Sequence, residues 1–426
     1  MSRVATPRRL NAPTARSRSP ARSNRPRASV IARERTRTSR SVSASAFSRR
    51  IGPLALDLAP FVASAVVALA PDGAVVARAV SAAVLTLSAA CAVVARATPS
   101  AALARLTLAL GGGRSRTRGR VVWVTGATQG LGEAIAMRYA ELGAIVIASG
   151  RGVERCEATA RACERAGAAS AHAVPFDMMG SREDVDAAVR RAFAIEGRVD
   201  VFVHCAGGSQ AASALGGDDE EVDRALFQLN ALGAIAITKG VAKAMLRVRE
   251  QRSGDAGEAA YSPTIVGVCS VASKLPAPGQ AVYAAAKSAY AAFLNSLRSE
   301  IADTGVRVVC AYPGPIATGM NGQERVIFRK DMASSTPSPG VEKKTQSRTP
   351  VASSKGRMPV QDVARDIVAA ACAGHDELVL APQPIMALTY IIRFVPALAY
   401  AALDVVGPKR ARKADAGENM YDLSEK

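Results

Sequence analysis

Seven cysteines are spread through the 426-residue chain, yet none of them forms a CxxC pair. That absence, with an odd count, argues against a zinc ribbon or a disulfide framework. The cysteines are expected to be reduced and mostly packed, with no metal site. Acidic residues are almost missing from the first 50 positions, where Glu34 stands alone against 14 Arg and no Lys. No apolar run occurs before residue 51, so a secretory signal is not expected. The Arg, Ser, Ala and Pro composition cannot bury a core and suits an organellar transit peptide. Basic charge is scarce where a fold is expected. Of the net +19, residues 1–50 carry +13 and residues 51–120 carry +5, which leaves +1 for residues 121–426. A nearly neutral folded region disfavours a nucleic-acid partner. Internal repeats are also absent.

Between residues 51 and 110 the chain becomes rich in Ala, Val and Leu, and residues 79–95 hold no charge. This run is somewhat short of the roughly 20 residues a spanning helix needs. One membrane anchor or a helical hairpin is expected over 51–110, with a packed soluble helix as the alternative. The Gly- and Arg-rich segment 111–120 reads as a basic hinge.

From residue 121 the pattern alternates short apolar runs with helical periodicity. Strands are expected at 121–125, 144–149, 171–176, 199–204, 264–269 and 306–311. Helices are expected at 131–142, 153–165, 182–194 and 221–249. Apolar strands joined by helices predict an α/β fold with a Rossmann-type doubly wound parallel sheet. The polar, Gly-containing run 249–259 reads as a surface insertion.

Residues 125–132, Thr-Gly-Ala-Thr-Gln-Gly-Leu-Gly, follow the first strand and open the first helix. Glycines at 126, 130 and 132 permit a tight turn, close approach to a pyrophosphate and close helix packing. Helix N-terminal N–H groups then face phosphates. Gly126, Thr128, Gln129, Gly130, Leu131 and Gly132 are therefore candidate cofactor contacts. After the second strand stands Ser149-Gly150-Arg151 rather than an acid. An arginine makes forked bonds to a 2′-phosphate, so NADP(H) is the expected cofactor. Asp177, placed at the end of the third strand, is a candidate for the adenine amino group or a helix N-cap.

Tyr283 and Lys287 lie four residues apart in an Ala-rich helical stretch, which places them on one face. A free tyrosine, with a pKa of about 10, is a poor acid or base near neutrality. A cation at about 4 Å and an effective dielectric of about 20 favours the phenolate by roughly 4 kcal/mol. That brings the pKa to roughly 7, the useful range for general acid-base work.

With the glycine loop some 150 residues before Tyr283-Ala284-Ala285-Ala286-Lys287, the chain resembles the short-chain dehydrogenase/reductase family, classical type, over about residues 120–320. The resemblance implies a catalytic set of Asn230, Ser270, Tyr283 and Lys287. Ser270 stands 13 residues before Tyr283 and would hold the substrate oxygen. Lys287 would also bond the nicotinamide ribose, and Asn230 would anchor a proton-relay water. Tyr283 and Lys287 therefore count among the cofactor contacts too. So do Ala206 and Gly207, and Pro313, Gly314, Ile316 and Thr318 in the Pro-Gly segment. The family's Asn-Asn-Ala-Gly is His204-Cys205-Ala206-Gly207 here, so side-chain bonds among the central strands are expected to be rearranged. The usual Ser-Ser pair is Cys269-Ser270.

Val121-Val122-Trp123-Val124-Thr125-Gly126-Ala127 and the Pro313-Gly314-Pro315 region look most like the membrane-associated branch of dehydrogenase/reductase member seven and the steroid 11-beta dehydrogenases. This implies a lipophilic carbonyl or alcohol substrate such as a retinoid or steroid, a membrane partner, and a homodimer as a possible assembly. A ketosphinganine-type membrane lipid reductase is the alternative enzyme, although that branch has Pro-Pro-Asp where Pro313-Gly314-Pro315 stands. A non-catalytic, NADP-responsive membrane scaffold is the alternative of another class.

Residues 321–358 are polar, as a substrate-covering loop would be. Residues 384–406 are apolar but interrupted by Arg393, Pro396 and Asp404. An amphipathic segment bordering the substrate mouth and touching membrane is expected, followed by a basic tail. The expected organisation is a targeting segment (1–50), an anchor region (51–110), a hinge (111–120), a catalytic domain (121–383) and an apolar segment with tail (384–426). Plastid or mitochondrion is the favoured location and the endoplasmic reticulum the alternative.

Overall fold

The computed structural model describes residues 116–216, 220–252, 261–317, the backbone of 327–328, residues 357–416 and residue 420. The expected targeting segment, the anchor region, Cys91, Thr318 and most of the 321–358 stretch lie outside the described residues.

Seven parallel strands form one sheet: β1 (Val121–Thr125), β2 (Ile145–Ser149), β3 (Ser170–Ala173), β4 (Val201–His204), β5 (Thr264–Val268), β6 (Arg307–Pro313) and β7 (Glu377–Leu380). Their spatial order is β7-β6-β5-β4-β1-β2-β3. The order reverses beside β1, so a crevice opens at the carboxyl ends of β1 and β4, where open α/β sheets bind ligands. β1 pairs with β2 from Val121↔Ile145 to Thr125↔Ser149, and with β4 from Val122↔Val201 to Thr125↔His204.

Every residue of β1 is buried, because helices cover both faces of the sheet. Alternate side chains serve opposite faces. Val122 and Val124 join a core layer with Ile135, Val363 and Ile367, whereas Val121 and Trp123 join one with Ile237, Met245 and Leu294. The first layer is covered by α1 (Gly130–Glu141), whose partner α7 (Val360–Ala373) packs directly on it. On this side of the sheet α2 (Val153–Arg165) packs against α1. The second layer is covered by α3 (Arg182–Glu196), α5 (Gly233–Arg252) and α6 (Ala281–Glu300). Helix α3 starts with a capping box between Ser181 and Asp184 and stops at Gly197, whose φ of 66° an L side chain resists.

Most element boundaries fall within two residues of expectation, and α2 coincides with it. Three differ. Strand β3 ends at Ala173, so Asp177 does not end it, although Val174 and Phe176 still donate to the backbone of residues 148 and 150. Asp177 is not a helix cap either: Ser181 is, and Asp177 Oδ1 accepts from Met179 N at 3.0 Å. The long helix is not continuous, because α4 (Glu220–Phe227) runs through a π turn (Gln228–Leu232) into α5.

The stretch Glu220–Arg252 is apolar and long enough to cross a membrane, but more than half of its apolar window is buried inside the fold. Here it serves as a core helix. After β7 come α8 (Ile385–Phe394) and α9 (Pro396–Asp415), packed against one another. The described cysteines are all free, and four of the six are buried.

Candidate active site

A cavity of about 800 Å³ occupies the crevice at the carboxyl ends of the strands. The β1–α1 loop forms one end. Gly126 and Gly130 have φ of 67° and 60°, which glycine reaches without strain. A Cβ on Gly132 would stand 2.1 Å from the Gly126 carbonyl oxygen, and one on Gly126 would stand 2.8 Å from Ala206 Cα. The loop therefore closes against its own helix and against the end of β4 only without those side chains. Gln129, the residue that precedes α1, makes no side-chain cap bond, so the first N–H groups of the helix remain for a ligand. These features fit a dinucleotide pyrophosphate.

Thr128, Gln129, Gly130 and Leu131 line this end of the cavity, and so do Arg151 and Asp177. Arg155 lines it too, a residue the sequence reading passed over. Its signal was present: it stands four positions after Arg151, in the first turn of α2, and its Nε would lie 3.3 Å from a Cβ placed on Gly152. Two guanidinium groups thus face the region beyond β2.

Ser270, Tyr283 and Lys287 line the middle of the same cavity. Ser270 follows β5 and caps the short 3-10 turn Val271–Ser273, its Oγ accepting from Ala272 N at 3.2 Å. Tyr283 is half-buried in the first turn of α6. Lys287, one turn on, is 4% exposed, and its Nζ donates to the Val268 carbonyl at 3.1 Å. Burial pushes its pKa below the ordinary lysine value, while the neighbouring Cys269 and Cys205 thiols act in the other direction.

Asn230 does not line the cavity. It sits in the π turn, fully buried, with Oδ1 accepting from Gly208 N at 3.2 Å. Its Nδ2 donates to the carbonyls of Gly208 (3.0 Å) and Leu226 (3.1 Å). A Cβ on Gly207 would lie 2.8 Å from Asn230 Oδ1 and 3.1 Å from Lys287 Nζ. Gly207 is thus the spacer that lets Asn230, Lys287 and the end of β4 meet. Ala206, Gly207, Pro313, Gly314 and Ile316 all reach the cavity wall.

His204 is fully buried, with Nδ1 3.0 Å from Thr125 Oγ1. Its ring meets Tyr290 edge-on at 5.2 Å. Burial, aided by the Lys287 charge, lowers its pKa to about 3. This is the rearranged side-chain bond expected of the altered Asn-Asn-Ala-Gly stretch, a strand-to-strand tie between β1 and β4. Cys205 beside it lines the cavity, with burial pushing its thiol up to about 12.

The far wall is apolar. Leu388 and Ile391 of α8 and Leu403 and Val406 of α9 contribute to it, along with Leu275 and Met420.

A model of the family described as short chain dehydrogenase matches residues 120–326. Dehydrogenase/reductase SDR family member 7B of Bos taurus is 30% identical over 308 residues, 70% of this chain and 84% of that one. The chain belongs to the short chain dehydrogenase family. Dehydrogenase/reductase SDR family member 7 of Homo sapiens is 29% identical over 305 residues, which are 70% of this chain and 80% of that one. Among solved structures, a short-chain dehydrogenase from Streptomyces avermitilis shares 25% identity with a TM-score of 0.51, covering 67% of this chain and 97% of that one. Another, from Burkholderia cenocepacia in complex with NADP, shares 22% identity and the fold, with a TM-score of 0.50, covering 67% and 98%. Family membership makes the chain an oxidoreductase of the dehydrogenase/reductase type.

Proposed function

We propose that this family member is an NADP(H)-dependent oxidoreductase acting on a carbonyl or secondary alcohol of a lipophilic substrate, retinoid- or steroid-like in character. The observation that carries this reading is the single cavity shared by the glycine loop, the Ser270, Tyr283 and Lys287 set, and the apolar wall of α8 and α9. Arg151 and Arg155 support NADP(H) over NAD(H), because forked guanidinium bonds suit a 2′-phosphate.

A bound nicotinamide cofactor supplies or accepts the hydride. Ser270 holds the substrate oxygen by a hydrogen bond, and Tyr283 donates a proton to that oxygen in the reductive direction. Lys287, anchored on the Val268 carbonyl, biases the tyrosine toward phenolate and reaches the cofactor ribose. Asn230 holds the β4 end at Gly208 and positions the lysine environment through Gly207. Asp177 serves the adenine, and Ala206, Pro313, Gly314, Ile316 and Thr318 the nicotinamide side.

Membrane association is part of the same reading. Phe394, Leu398 and Val405 on α8 and α9 are 76%, 59% and 70% exposed, beside the basic residues Lys409, Arg412 and Lys413. An apolar surface next to a basic one suits an anionic lipid surface, and the same helices wall the substrate end of the cavity. The apolar residues 51–110 supply the anchor and the basic residues 1–50 organellar targeting; residues 121–383 form the catalytic domain.

The test is NADPH oxidation against a panel of lipophilic carbonyls. Tyr283→Phe is expected to lower turnover by roughly 100-fold or more, the usual contribution of a general acid, with NADPH binding retained. Turnover within a few-fold of the unmodified enzyme would overturn the assignment.

A further inference from the structure

Along the apolar end of the cavity, one charged side chain enters the wall. The charged residues lining the cavity are Arg151, Arg155 and Asp177 at the adenosine end, Lys287 in the middle, and Arg410 from α9. Arg410 shares its end with Leu403 and Val406 of the same helix.

The placement of Arg410 is built by the fold. The carboxyl end of α9 is held from two sides. Asp415 Oδ1 accepts from Ser213 N at 2.7 Å. On the other side, Gly279 lies so close that a Cβ there would be 2.9 Å from Ala414 Cβ and 3.4 Å from the Arg410 carbonyl oxygen. Gly279 has φ of 80° and immediately precedes Gln280, the residue that opens α6. Arg410 therefore sits over the amino end of the helix that carries Tyr283. Its neighbours Lys409 and Arg412 are exposed, whereas Arg410 is half-buried.

A guanidinium beside an apolar wall is poorly screened and makes directional, forked bonds to oxyanions. We infer that the substrate is an amphipathic anion: an apolar body along α8 and α9, a carbonyl or hydroxyl at Tyr283, and an oxyacid group paired with Arg410. This inference rests on the oxidoreductase reading and narrows its substrate class. Carboxylate and phosphate share the chemistry that Arg410 recognises, so the test separates them.

Stearate, stearyl phosphate and stearyl alcohol are titrated calorimetrically into the NADPH-loaded full chain. Ketostearate and its methyl ester are compared as substrates. At least one anion is expected to bind tenfold or more tightly than the alcohol, and the better one names the oxyacid. Ketostearate should show the lower KM of its pair. Arg410→Gln should bring the anion-to-alcohol ratio to near one, Arg410→Lys should keep part of the preference, and Arg410→Glu should invert it in favour of stearylamine. Equal binding of acid and alcohol by the unmodified chain overturns the inference, and so does an unchanged ratio in Arg410→Gln with NADPH binding intact. If NADPH is bound but no carbonyl oxidises it, the oxidoreductase reading fails, while the binding ratios still decide the role of Arg410.

Discussion

Thr125 Oγ1 and His204 Nδ1 lie 3.0 Å apart at the neighbouring ends of β1 and β4. The Thr125 hydroxyl also accepts from the amides of Cys205 and Ala206, at 3.3 and 3.5 Å, so its own proton goes to Nδ1. The imidazole is then neutral, with its proton on Nε2, an atom that has no partner among the described residues.

This arrangement has a pH consequence. An unfolded histidine titrates near about 6.5, whereas His204 in the fold is lowered to about 3. Between those values the unfolded chain binds the extra proton, so stability falls as pH drops from about 6.5 toward about 3. Each unit of the difference corresponds to about 1.4 kcal/mol. Urea titrations at pH 7 and pH 5 should show a larger acid loss for the unmodified chain than for His204→Asn. Equal losses would remove His204 as the cause.

Gly207→Ala places a methyl group 2.8 Å from Asn230 Oδ1 and 3.1 Å from Lys287 Nζ. Both are held by hydrogen bonds to backbone and cannot retreat freely. Turnover is expected to drop by roughly 100-fold, or about 2.7 kcal/mol in barrier, with near-native circular dichroism. Normal turnover would show that the two groups yield without cost.

Arg151 and Arg155 together set the cofactor preference. The Arg151→Ala, Arg155→Ala double variant is expected to bind NADPH about 10- to 100-fold more weakly, in line with roughly 1.5–3 kcal/mol for charged hydrogen bonds. NADH affinity should stay within a few-fold. A fluorescence titration with both nucleotides reads the result, and equal weakening of the two would point to collapse of the loop instead.

Trp123 is the single tryptophan and is fully buried, its Nε1 donating to Ser149 Oγ at 2.8 Å. Ser149 Oγ donates onward to the Val174 carbonyl at 2.6 Å. Ser149→Ala leaves the indole N–H and that carbonyl without this partner, at a cost of about 1–3 kcal/mol. Denaturant unfolding followed by tryptophan emission should show the lower midpoint. An unchanged midpoint would mean that the two groups find other partners.

The sequence by itself determined the fold class and the chemistry of the site. Strand and helix periods are local properties, and four-residue spacing on a helix places Tyr283 and Lys287 on one face whatever surrounds them. The glycine loop was legible for the same reason, since its φ values and its place between strand and helix follow from neighbouring residues. Tertiary structure decided what depends on residues far apart in the chain. The contact of Gly207 with both Asn230 and Lys287, the His204–Thr125 tie across 79 positions, and the entry of Arg155 into the cavity depend on how the elements pack. Arg410 is the clearest example. In sequence it is one basic residue among several in a tail, and only the docking of α9 on Gly279 and Ser213 brings it to the apolar end of the cavity. The reason is physical: a side chain's period follows from its own helix, but the cavity it enters is made by the helices and loops of other segments.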